Sequence, residues 1–220
     1  MRFAIAFVVL LSAHASSAFC QSARTPVDLS RSGRRALLPR DSEVALARSS
    51  APASVSAHAT VMIFTDSGFV TADRGTNGVV CVVNRSWPAS LEPHCFDEEA
   101  AATILPMELH RTMLYHRGRS SAEVEREIAA GLASGRFRLP TRPAMSYMMS
   151  AGQQLIGDDG APAGHWRPHI MVYYPFLTNG KMGLAHTPDM TVGMVTDESE
   201  PTSSLMIIVP QFVSVSTRAP

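Results

Sequence analysis

Twelve consecutive residues, GHWRPHIMVYYP from Gly164 to Pro175, hold two histidines, a tryptophan, an arginine and two tyrosines. Imidazole serves as a base or a ligand donor, and indole and phenol supply apolar area with a polar tip, the usual equipment of a binding surface. Pro168 pushes Arg167 out of helical space and Pro175 ends the extended run, so His165 and His169 cannot be the paired ligands of one helical turn. That excludes a zinc-protease HExxH site. As a strand, the segment puts His169, Met171 and Tyr173 on one face and Ile170, Val172 and Tyr174 on the other. The first face, with Trp166, could line a pocket; Ile170 and Val172 suit a core. The spacing favours a structural strand in which Trp166 covers a core edge and His169 makes one backbone hydrogen bond. A working site would need the polar members to converge.

A second group is rich in methionine. Met145, Tyr147, Met148 and Met149 share one segment, and Met182, His186, Met190 and Met194 recur every four residues. Thioether and imidazole are soft donors that suit copper, so a Met/His copper-binding protein is one alternative. Gly183, Pro188 and Gly193 forbid one regular helix there, and methionine is also a core filler. No metal site and no cofactor is therefore expected. Arg74-Gly75-Thr76-Asn77-Gly78 offers backbone amides to an anion, although a plain hairpin turn is favoured. Ser146, Ser150 and Cys81 are the nominal nucleophiles, but no G-x-S-x-G elbow occurs and the histidines show no ordered pairing with aspartate. Glu98 and Glu99, and Asp158 and Asp159, are adjacent and point apart, a solvated pattern. The candidate ligand-binding residues are Asn77, Tyr147, His165, Trp166 and His169, and no catalytic residue is assigned.

Taken together, GTNGVVCVV at Gly75 to Val83, YMMS at Tyr147 to Ser150 and HWRPHIMVYYP at His165 to Pro175 resemble a group of uncharacterised secreted bacterial proteins, over roughly Glu43 to Pro210. The resemblance implies export. It carries no activity, cofactor or site residue.

The N-terminus points the same way. Arg2, the apolar run Phe3 to Leu11 and the small residues Ala13, Ala15, Ser16 and Ala18 form a secretory signal peptide, residues 1–18. The run is too short for a membrane span, so no integral span is expected. Residues 19–40 read as a polar flexible leader and 41–220 as a single domain. The formal net charge is zero, which excludes a global field drawing the chain to nucleic acid. Lys181 is the only lysine; that arginine bias hints at a GC-rich bacterial source. In an oxidising compartment Cys81 and Cys95 are expected to pair, closing a loop of about 15 residues worth roughly 3 kcal/mol. Cys20 is left over, and Phe19 before it argues against a lipid anchor.

The elements that must position these residues are strands, then helices, then strands. Ala59 to Thr65, Phe69 to Asp73 and Val79 to Asn84 read as a three-stranded antiparallel meander, with the last strand central because it is apolar on both faces. A short helix is expected from Asp41 to Arg48. After a loop holding Trp87, Pro93 and Cys95, Asp97 caps a helix interrupted at Pro106 and ending near Gly118, and Ser120 to Glu123 is a capping box for the next. Pro168 to Tyr174, Leu205 to Val209 and Phe212 to Val215 complete the strands, with a Gly/Pro-rich loop from Pro175 to Glu200. The fold class is α+β, a mostly antiparallel sheet packed on one side by helices. The functional expectation is a non-catalytic periplasmic or extracellular module that binds a small ligand or an envelope component. A small hydrolase using a histidine base is the other alternative.

Overall fold

A computed structural model of the chain describes residues 37–86, 90–156, 162–184 and 193–215. The expected signal peptide, Cys20, Trp87, His186 and Met190 lie outside the described residues. Short helices α1 (Arg40–Arg48) and α2 (Ala53–Ser56) lead into strands β1 (Thr60–Thr65), β2 (Gly68–Asp73), β3 (Val80–Asn84) and β4 (Glu92–Phe96). Helices α3 (Glu98–Thr103), α4 (Leu105–His116) and α5 (Ser121–Ala133) follow, then β5 (Ala144–Met148), the small pair β6 (Leu155–Ile156) and β7 (Pro162–Gly164), and β8 (His169–Tyr173), β9 (Gly193–Thr196) and β10 (Ser204–Ile208). Eight strands form one sheet in the order β2-β1-β3-β4-β5-β8-β10-β9. The fold is α+β and the sheet is antiparallel except where β1 meets β3.

That exception corrects the expected meander. Residues 74–79 carry the chain from β2 across the start of β1, and β3 then runs parallel to β1 on its far side, with Thr60 opposite Val80. Gly75 makes the crossing possible, because a Cβ there would overlap backbone atoms of Ala59 and Thr60. Asn77 holds the crossing by donating from Nδ2 to the Val55 carbonyl and accepting at Oδ1 from Val79 N. As expected, β3 is interior and buried.

The segment expected as a loop around Pro93 is in fact β4, buried along its whole length. Cys81 and Cys95 face each other directly across β3 and β4 and form a disulfide, with Cα atoms 4.0 Å apart. Such closeness marks a non-hydrogen-bonded pair, and Val83–Pro93, two residues along, shares that parity. The nitrogen of Pro93 therefore points toward β5, whose ladder with β4 covers only Cys95 and Phe96. Proline is tolerated inside the sheet for that reason. The bridge thus staples two strands rather than pinning a strand-to-helix loop.

Helix boundaries follow local chemistry. Asp97 accepts from Ala100 N at 2.7 Å, Pro106 sits in the first turn of α4 where its missing N–H costs nothing, and Gly118 takes φ 76° behind it. Ser120 and Glu123 complete the capping box of α5. Helix α1 starts after Pro39 and has no side-chain cap, so Asp41 lies in its first turn instead of capping it. Two corrections fall in the last third: β9 lies inside the expected Gly/Pro-rich loop, and Phe212 to Val215 is no strand, Val213 making one bridge to Ser150.

Helices α3 to α5 cover one face of the sheet, packing Ile104, Met107, Leu114, Val124 and Ile128 on Val82, Phe96 and Tyr173. On the opposite face α1 buries Leu46 and Ala47 against Val61, Val83 and the disulfide. Where β3 ends, Glu43 of α1 takes the Arg85 guanidinium in two hydrogen bonds of 2.9 and 3.0 Å and also accepts from Phe64 N. Both side chains are fully buried. Among the described residues no helix is long and apolar enough to cross a membrane.

Candidate functional site

Antiparallel register turns the residues of β4, β5, β8, β10 and β9 that face α4 into lateral rows. In one row Ser146, Met171, Met206 and Met194 sit opposite one another across β5, β8, β10 and β9. The next row places Met148 beside His169 and His169 beside Ile208. His94, on β4 just past the two residues that pair with β5, faces the same side of the sheet. Between these rows and α4 lies a cavity of about 680 Å³, lined at one side by His94, Met148, Trp166 and His169 and at another by Glu108, Arg111, Glu125 and Asp197.

The two imidazoles differ from surface histidines. His169 is 1 % exposed and His94 7 %. The Nδ1 of His169 is 2.6 Å from the Arg167 carbonyl, which only accepts, so Nδ1 carries the proton; its Nε2 lies 3.1 Å from the Met148 sulfur. His94 Nδ1 is 2.9 Å from the Asn84 side-chain amide, and its Nε2 has no partner among the described residues. Burial pushes the pKa of His94 down to about 3, helped by the neighbouring His169. Burial also lowers His169, partly opposed by its bond to the Arg167 carbonyl. Both rings are neutral at pH 7. Trp166 packs edge-on to His169, with centroids 5.8 Å apart.

The polar side is a charge cluster. Arg111 Nε is 3.6 Å from Glu108, and its guanidinium also pairs with Glu125 from α5. Burial raises the Asp197 carboxyl above the usual range, with Arg111 opposing. Glu92, on the same face of β4 as His94, accepts from Ser86 N at 3.1 Å and from the Ser90 hydroxyl, while Ser86 Oγ donates to Glu108 at 3.1 Å. Below them the hydroxyls of Ser146 and Tyr173 are 2.9 Å apart.

Of the residues singled out in the sequence, Trp166 and His169 line the cavity. Tyr147 belongs to the opposite face, against the cluster around the disulfide, where burial raises its pKa. Asn77 is committed to the crossing loop, and His165 is exposed outside the cavity. The five candidates therefore do not converge. Ile170 and Val172, expected in the core, are only half-buried, whereas His169 and Tyr173 on the other face are buried. The strand is inverted relative to that expectation because α4, and not α1, reaches over β8. Met148 and Met194 do share the cavity, but Met182 is exposed on a turn.

His94, Glu92, Met206 and Arg111 were missed, whereas Met171 lies in the cavity on the face of β8 expected to line a pocket. The signal for His94 was parity: a strand that buries Cys95 in a disulfide on one face must direct residues 94 and 96 to the other. Hydrolysis finds little equipment here. The nitrogens of His169 face a carbonyl and a thioether, Nδ1 of His94 faces an amide, and Ser146 bonds Tyr173, so none of these contacts pairs an imidazole with a nucleophile or an orienting carboxylate. The arrangement is suited to holding a ligand between apolar thioether and aromatic walls, with neutral imidazoles at one side and a charged cluster at the other. No family model, curated protein or solved structure matches this chain.

Proposed function

We propose that this chain is an exported, non-catalytic binding module that takes a small ligand in the cavity between the sheet and α4. The observation that carries the reading is the cavity itself. Its volume of about 680 Å³ falls in the range of small-molecule sites, and its walls combine Met148, Met171, Met206 and Trp166 with a few convergent polar groups. The signal-like N-terminus and the Cys81–Cys95 disulfide support an oxidising compartment, periplasmic or extracellular.

Trp166 supplies the assay. Replacing Trp87 by Phe leaves Trp166 as the sole tryptophan, since the chain has two. A metabolite library screened by thermal shift should contain ligands that raise Tm by mass action and change Trp166 emission saturably. Saturable turnover in a hydrolase substrate panel, abolished by His169→Ala, would overturn the non-catalytic reading.

A further inference from the structure

We infer that His94, Met148 and His169 form a binding site for a soft monovalent metal ion, copper(I), at the histidine side of the cavity. The inference rests on reading the cavity as a binding site and names one ligand for it. Its donors are not the Met182, His186, Met190 and Met194 set considered from sequence spacing. They come from three adjacent strands, β4, β5 and β8; Met148 lies directly opposite His169, and His94 lines the same cavity.

Hydrogen-bond accounting points to a cation-binding position. His169 donates through Nδ1 to the Arg167 carbonyl, so Nε2 holds a lone pair, and the Met148 sulfur 3.1 Å away is also an acceptor. Two lone pairs face each other with no proton between them. A metal ion bound by both atoms at once removes that conflict. His94 presents the same chemistry from the other side. Ligation requires the Asn84 carboxamide to turn its oxygen to Nδ1, so that Nδ1 donates and Nε2 keeps its lone pair. A buried Nε2 with no partner among the described residues is costly unless something occupies it.

The donor set selects the ion. Among the described residues no three of His, Cys, Asp and Glu group as a metal cluster, which disfavours zinc and the hard divalent ions. Two imidazoles and a thioether are soft and neutral, the combination that suits copper(I). Met171, two residues along β8 on the same face, lines the same cavity and offers a second thioether. Glu92 lines it too.

The test uses the disulfide-bonded protein carrying Cys20→Ser, which removes a thiol with its own affinity for copper(I). Anaerobic titration against a chromogenic copper(I) chelator should show one tightly held equivalent, and X-ray absorption should show both nitrogen and sulfur neighbours. Met148→Leu, near in volume, should stay folded and weaken binding by about tenfold or more, and Asn84→Ala, which releases the His94 ring, by about 10–100-fold. Met182→Leu, on the exposed turn, should bind like the parent. If the histidine variants fail to fold, Met148→Leu still decides. Failure to compete with the chelator, or undiminished affinity in folded Met148→Leu, overturns the site. Saturable binding of organic ligands at Trp166 by a protein that holds no copper(I) overturns it and leaves the cavity reading standing, whereas the loss of both ends the two together.

Discussion

His94 should make this fold acid-sensitive in a window where few other groups titrate. Its pKa in the fold is pushed down to about 3 from an ordinary 6.5, first by burial and then by His169. Between those values the unfolded chain binds the proton and the folded chain does not, so stability rises with pH. The contribution is fully present above 6.5 and declines as pH falls toward 3, by about 1.4 kcal/mol per unit. At pH 4.5 the loss reaches roughly 3 kcal/mol, a sizeable share of the 5–15 kcal/mol typical of a domain. His169 is displaced in the same direction and adds to the slope. Glu99, held low by the Thr141 amide, and Glu123, held low by Ser120, lose their contributions only as pH falls through their depressed range, below the ordinary 4.5. Urea denaturation in chelator-treated buffer at pH 7.5, 6.5, 5.5 and 4.5 gives the slope. The paired variant is His94→Gln, which does not titrate and retains an amide to meet Asn84. Its stability should fall less steeply, by about 1.4 kcal/mol per unit between pH 6.5 and 4.5. Parallel slopes for the two proteins would refute the assignment of a neutral buried imidazole at position 94.

Glu43→Gln removes one charge of a fully buried pair and strands the Arg85 guanidinium, so it should cost about 3–5 kcal/mol; Glu43→Leu combined with Arg85→Met should recover much of that in a double-mutant cycle read by chemical denaturation. Reducing the Cys81–Cys95 bridge, or replacing both residues by Ala, should lower stability by about 3 kcal/mol, measured as a shift of the urea midpoint with and without reductant. Gly75→Ala should yield little folded protein because its Cβ would strike the backbone of Ala59 and Thr60. Gly118→Ala, with open space around it and only φ 76° to accommodate, should cost about 1 kcal/mol, and comparable melts for the two would discredit the crossing as a steric requirement.

The features legible in the sequence are those whose physics closes within a few residues. Asp97 capping Ala100, the Ser120–Glu123 box and the break at Pro106 each involve neighbours along the chain, and each stands where it was expected. The disulfide was legible because two cysteines expected to reach an oxidising compartment have few other fates. Where tertiary contacts decide, sequence chemistry misled. Asn77-Gly78 is hairpin chemistry used to cross a strand, and Pro93 signals a loop only until its nitrogen is seen to point where β5 no longer pairs. Gly193 looks like loop composition, yet it is required in β9, where φ is 147° and a Cβ would strike the Met206 carbonyl.

The candidate site was hidden for a more general reason. A helix brings together residues three or four apart, so a helical site leaves a period in the sequence. A site built across a sheet brings together residues whose separation is set by intervening loops, and it leaves none. His94, Met148 and His169 line one cavity although α3, α4, α5 and the β6–β7 pair interrupt the chain between them. Met171, Met206 and Met194 likewise align across β8, β10 and β9, an order in the sheet that differs from the order of the chain. The regular spacing of Met182, His186, Met190 and Met194 drew attention because it was periodic, but periodicity of four is evidence only where there is a helix. What survives from sequence to site in a sheet is parity within each strand. The buried cysteine at 95 sends His94 to the opposite face, just as the alternation of β8 groups His169 with Met171 and Tyr173. Pairing these parities across the correct strand order would have assembled the cavity wall, and the strand order is the information that one chain read in one dimension lacks.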